Sequence, residues 1–178
     1  MKTILDFVFA NKYLIQSKNF LPLYNQLMEE YYITNNEEFN PGNLTRFFLD
    51  LNINPLDYTD NEVPIGCFYE YNFDDQDYIL PSNITKINNS AYAYASGIKR
   101  FFAPKGFKEI GLFAFMECSN LKDIYLPSTL TDIPKGTFLN EGITDLTIHT
   151  PMNSVAWRYA EENHITRDNL YRYPGGTK

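Results

Sequence analysis

A chain of 178 residues with 44% hydrophobic and 21% charged residues is long enough to bury a core without a disulfide or metal staple, which excludes the collagenous, disordered and disulfide-scaffold classes. The formal charge of −7 divides into −9 over residues 1–80, where four basic residues face thirteen acidic ones, and +2 over residues 81–178, which hold eleven basic and nine acidic. With no cluster of Lys or Arg and no apolar run near the roughly 20 residues of a membrane helix, neither nucleic acid, an anionic membrane surface nor a membrane span is expected.

The chain opens with Lys2, a short apolar stretch from Ile4 to Ala10 and the cleavage-like triplet Val8-Phe9-Ala10. Asp6 interrupts the stretch and it is too short for a secretory signal, so the expected location is cytoplasmic rather than secreted or cell-surface. Residues 1–55 carry helical periodicity. Ile4, Phe7 and Val8 mark a first segment; Tyr24, Leu27, Met28 and Tyr31 form one face of a second, with Pro22 early in it. Leu44, Phe47, Phe48 and Leu51 repeat that spacing behind Asn40-Pro41, an N-cap with proline at the first helical position, and Asn54-Pro55 reads as the stop. None of these helices is long enough to stand alone in water. A domain of residues 1–60 is therefore expected to cap the remainder of the chain, and its cluster of Glu29, Glu30, Glu37 and Glu38 offers an alternative binding surface.

Near residue 63 the hydrophobic period changes and the chain starts to repeat. Pro81, Pro104 and Pro127 are 23 residues apart, as are Ile87, Ile110 and Ile133, and Tyr92, Phe115 and Phe138. A partial earlier unit shows in Val63-Pro64-Ile65-Gly66-Cys67-Phe68, which matches Ile133-Pro134-Lys135-Gly136-Thr137-Phe138. The last unit is aligned with a one-residue deletion near Asn140-Glu141. A period in the twenties, with apolar positions broken by turns, is the signature of a solenoid whose units bury their apolar sides against one another. The stretches Ile98 to Pro104 and Leu121 to Pro127 read as strands closed by proline, which cannot donate to a ladder. Ile84 to Ile87, Phe107 to Ile110 and Leu130 to Ile133 read as a second, shorter extended piece. The expected organisation is thus a helical residues 1–60 and a solenoid over residues 61–178.

The unit Ile110-Gly111-Leu112-Phe113-Ala114-Phe115-Met116-Glu117-Cys118 through Leu121-Lys122-Asp123-Ile124-Tyr125-Leu126-Pro127 resembles the BspA-type leucine-rich repeat, whose units run I-G-x-x-A-F-x-x-C-x-x-L-x-x-I-x-L-P. The resemblance covers residues 63–151; Ala95 and Glu141 stand where that unit has Cys118. Ser154 to Asn163, with Trp157 and Tyr159, is similar to the short helix that ends such arrays. The resemblance implies a right-handed solenoid with a parallel sheet along one face and a role in protein recognition; the N-terminal helices lie outside the family pattern, and with them as a cap over the exposed first unit the expected fold class is α+β.

If Leu121, Ile124 and Leu126 point inward at the family positions, the period of two sends Lys122, Asp123 and Tyr125 to solvent. Stacking the units gives outward rows Ile79, Phe102, Tyr125, Thr147; Asp77, Arg100, Asp123, Asp145; and Gln76, Lys99, Lys122, Thr144. Exposed Phe102 and Tyr125 beside Lys99, Arg100 and Lys122 have the composition of an interface hot spot. The candidate protein-binding residues are Ile79, Lys99, Arg100, Phe102, Lys122, Asp123 and Tyr125; a row that only stabilises the sheet is the plainer alternative.

Catalytic chemistry is sparse. His149 and His164 lack a nucleophile or carboxylate at motif spacing and read as surface or cap residues. Asp74-Asp75-Gln76-Asp77 lacks the glycine and distal Glu of a calcium loop and reads as a solvated turn. Cys67 and Cys118 have no metal-site or redox-motif spacing, lie about two layers apart and are expected to stay reduced thiols. No cofactor or metal is called for and no enzyme is expected. The leading function is a non-enzymatic module binding a protein partner; the alternatives are a phage- or mobile-element-encoded inhibitor of a host enzyme or defence system, and a surface adhesion protein. Neither the partner nor the oligomeric state follows from the residues.

Overall fold

The computed structural model describes residues 22–27, 29, 41–140 and 145–175, which fall into two compact units, Met1–Asp60 and Asn61–Lys178. In the first unit residues 22–27 are helical, with Leu23, Tyr24 and Leu27 buried. Helix α1 (Pro41–Asp50) starts on its proline and buries Leu44, Thr45 and Phe48. Asn52 ends it in the left-handed conformation (φ 59°). The Asn52 N–H donates to Leu49 O at 2.8 Å and the Ile53 N–H to Phe48 O at 2.8 Å, the paired bonds of a Schellman stop. Leu51 therefore lies past the helix and is exposed. Asn54-Pro55 is a beginning and not a stop: Asn54 Oδ1 accepts the Leu56 N–H at 3.1 Å and caps the 3-10 helix Pro55–Tyr58. The expected first helix, Met28, Tyr31, the Asn40 cap, Glu30, Glu37, Glu38 and the side chain of Phe47 lie outside the described residues.

The second unit coils through two parallel sheets. Strands β1 (Glu62–Val63), β3 (Lys86–Ile87) and β5 (Glu109–Ile110) form one, continued by a bridge from Glu109 to Asp132. Strands β2 (Asn72–Ile79), β4 (Ser96–Phe102), β6 (Asp123–Tyr125), β7 (Thr147–His149) and β8 (Thr166–Asp168) form the other, in that order. Between them the turns stack as a third wall. Phe68, Tyr92 and Phe115 N–H groups donate to Ala91, Ala114 and Thr137 carbonyls one layer on, at 2.7–2.9 Å. Gly66, Ser90, Phe113 and Gly136 occupy one left-handed row of these turns, and Glu70, Tyr94 and Glu117 a second. A left-handed residue with a side chain costs about 1–2 kcal/mol; the interlayer bonds, about 0.5–1.5 kcal/mol each, offset it. Gly111 is required by close approach, since a Cβ there would lie 2.4 Å from the Asn88 carbonyl carbon.

Inside the coil Phe68, Tyr92, Phe115 and Phe138 stack nearly parallel at 5.1, 5.3 and 5.6 Å. A second inward row follows the sheet register from Tyr78 through Phe101 and Ile124 to Ile148. The one hydroxyl within the first stack, on fully buried Tyr92, donates to Tyr78 Oη at 3.1 Å. Cys67 and Cys118 are buried thiols, not joined in a disulfide. Cys118 donates to Tyr92 O at 3.0 Å, and burial pushes its thiol up to about 12. The array closes with helix α2 (Val155–Glu162), capped by Ser154 and packed through Ala156 and Ala160. Strand β8 then adds a layer that the 23-residue pattern does not announce. Its inward residue is Arg167, stacked 4.9 Å over Trp157 and paired to Glu161 at 2.7 Å, so a charged side chain stands where the apolar row ends.

Candidate recognition face

Because successive residues of a strand face opposite sides, the five-stranded sheet turns two rows away from the core. One runs Asp77, Arg100, Asp123, Thr147, Thr166 and the other Ile79, Phe102, Tyr125, His149, Asp168. The first row is polar. Arg100 donates to Asp77 through Nε at 2.7 Å and through Nη2. Lys99 pairs with Asp75 at 2.6 Å, while Lys122 is exposed and has no ion pair among the described residues. The acidic run of residues 74–77 is therefore no solvated turn but part of β2, bulged at Asp74 and Asp75 (φ 55° and 60°). Asn72 Oδ1 accepts the Asp74 N–H at 3.1 Å, and Gly97 lets the bulge approach, since a Cβ there would stand 2.7 Å from Asp75 N.

The second row is aromatic. Phe102 and Tyr125 stack at 4.4 Å, and Tyr125 and His149 at 4.2 Å. His149 is held edge-on by two carboxylates, Nδ1 at 2.7 Å from Asp168 and Nε2 at 2.8 Å from Asp123. Both nitrogens donate only when the ring carries two protons, so the clamp is strongest in the imidazolium form. The segment after β8 crosses this row. Tyr171 Oη donates to Ala103 O at 3.0 Å and Tyr173 Oη to Leu80 O at 2.8 Å. Between them the Arg172 guanidinium lies 5.7 Å over Phe102 and 5.1 Å over Tyr125, and donates to Tyr125 Oη at 3.3 Å.

The geometry of stacked parallel layers is matched by the sequence over most of its length. Residues 61–167 fit the family model of the BspA type leucine rich repeat region, in six copies. The chain belongs to the BspA-type leucine-rich repeat family. Neither a curated protein nor a solved structure matches it. Membership places the protein among repeats that serve protein–protein interaction or adhesion and are generally non-enzymatic. Among the described residues no helix is long and apolar enough to cross a membrane.

Set on this leucine-rich repeat frame, the expected site residues separate. Ile79, Lys99 and Lys122 are exposed, and Arg100 and Asp123 are half-buried. Phe102 and Tyr125 face outward in the expected register, but their expected exposure is contradicted: they are 3% and 6% exposed because residues 171–174 cover them. The last layer is also shifted. Tyr125 pairs with His149 and Asp123 with Thr147, a step of 24 residues, so the unit carries an insertion and not a deletion. Thr147 and Asp145 drop out of the places assigned to them, and Thr144 lies outside the described residues. His149 is not a surface residue after the strand but a buried member of β7. Its carboxylate partners and the tail tyrosines and arginine were missed; Pro151, 24 residues after Pro127, was the available signal for the corrected register.

Proposed function

We propose that this leucine-rich repeat protein is a non-enzymatic module that grips a protein partner through the outward face of its five-stranded sheet. The observation that carries the reading is the continuity of the polar row, in which Asp77, Arg100, Asp123 and Thr147 stand one layer apart beside Lys99 and Lys122. Asp75 and Asp77 already neutralise Lys99 and Arg100. Among the described residues flanking this row, Lys122 is then a cation without an ion pair, placed to steer an acidic partner, and exposed Ile79, two strands away, is an apolar contact on the same sheet. Photo-crosslinking tests this. A benzophenone amino acid at Lys122 or Lys99 of the full chain should capture one protein from native-host extract, while the same group at exposed Lys108, which precedes β5 of the other sheet, should not. Capture from Lys108 alone would refute the assignment.

A further inference from the structure

The tail contacts follow from the repeat's own prolines. In these parallel ladders a carbonyl accepts from the residue one past its partner: Val63 pairs with Ile87, and the Asn88 N–H donates to Val63 O at 3.1 Å. The Leu80 N–H donates to Phe102 O and the Ala103 N–H to Tyr125 O, so Leu80 pairs with Ala103 and Ala103 with Leu126. The donors due to Leu80 O and Ala103 O are therefore residues 104 and 127. Both are proline and have no N–H. The recurring proline leaves one orphaned carbonyl per layer, beside the outward aromatic row, and Leu80 and Ala103 are buried. A buried carbonyl without a donor is unfavourable. Tyr173 and Tyr171 donate to the orphaned carbonyls of two successive layers, Leu80 and Ala103, while Arg172 between them lies on the rings of Phe102, in the Ala103 layer, and Tyr125, one layer further on. The same construction recurs at Leu126, ahead of Pro151.

We propose that residues 171–174 are a built-in occupant of a peptide-binding groove, and that the groove's external ligand is an extended segment with an arginine between two tyrosines. The orphaned carbonyls select phenolic donors, and the stacked rings of Phe102 and Tyr125 select the guanidinium. The tail crosses the strands and does not extend the sheet, so the groove reads three successive side chains, the two phenols and the guanidinium between them. A ligand must displace the tail, which makes the tail a brake on that face. This rests on the outward face being the binding surface, but its test does not need the natural partner.

The experiment uses the full chain and a fluorescent peptide of sequence Asn-Leu-Tyr-Arg-Tyr-Pro-Gly. Tyr171→Ala/Arg172→Ala/Tyr173→Ala empties the groove and should bind the peptide saturably by anisotropy. The wild type should bind at least about tenfold more weakly, since its own tail competes at high effective concentration. Replacing the peptide's arginine by alanine should cost about tenfold, or about 1.4 kcal/mol. Circular dichroism checks the fold; if the triple variant does not melt cooperatively, Arg172→Ala alone, which removes one exposed side chain, repeats the comparison. Equal binding by wild type and emptied protein, or no saturable binding by the folded variant, overturns the proposal. So does a wild-type dimer that the triple variant loses, because the occupant is then a second copy's tail. Peptide binding without crosslinks from Lys99 or Lys122 would retain the groove and remove the function proposed above.

Discussion

Two of the aromatic stacks among the described residues have nearly the same geometry and different security. The inner one, Phe68–Tyr92–Phe115–Phe138, has neighbouring rings 4–16° from parallel; the outer one, Phe102–Tyr125–His149, has them at 10–12°. Both descend from the same layer repeat. The inner stack lies inside the coil, with Phe68, Tyr92 and Phe115 buried and Phe138 half-buried at its end, so its burial comes with the fold. The outer stack is closed on its open side by four residues fastened through two phenols and one guanidinium. Burial alone thus does not separate core from binding surface; what covers the residue does.

The largest expected contrast comes from truncating one ring in each stack. Phe115→Ala should destabilise the solenoid by about 3–5 kcal/mol, since the closed interior cannot collapse around the cavity. Phe102→Ala should cost about 1.5–3 kcal/mol, because its outer side meets the tail and the Arg100 side chain, which can shift or lift. Urea unfolding of both variants reads the difference. Equal losses would mean that the tail is as integral as the coil.

Much of this contrast was legible in the residues and part was not. The inner row was visible because Tyr92, Phe115 and Phe138 keep the repeat spacing. The sides of the outer row were right even where its register was wrong: Thr147 and His149 are two residues apart, and a slip of two leaves a strand's faces unchanged. The cover over Phe102 and Tyr125 was not legible. Tyr171 and Tyr173 meet carbonyls 68 and 93 residues away in sequence, and no local period points to such contacts. The helix end was misplaced for a local reason, because Asn52 offered a left-handed stop ahead of the Asn54-Pro55 pair.

Smaller effects sharpen the comparison. Tyr173→Phe keeps the ring and removes only the donor to Leu80 O, and should cost about 0.5–1.5 kcal/mol in the same urea experiment. Alkali should act on the neighbouring tyrosine. Burial, with nearby Tyr173 second, pushes the Tyr171 phenol up to about 12 from its ordinary value of 10.0. A group raised on folding contributes fully below its unfolded value and loses that contribution as pH rises through the folded one. The wild type should therefore lose stability relative to Tyr171→Phe between about pH 10 and 12, with the buried tyrosines common to both proteins cancelling. A constant difference across that window would show that the Tyr171 hydroxyl is not buried by the tail.

The central claim, that the tail lies on the outer aromatic row, is tested most directly by the proton chemical shifts of the Arg172 side chain. With the guanidinium over the faces of Phe102 and Tyr125, its δ protons should be shifted upfield by the rings and return to free-peptide values in the Phe102→Ala/Tyr125→Ala protein. Free-peptide values for Arg172 in the wild type would contradict the account.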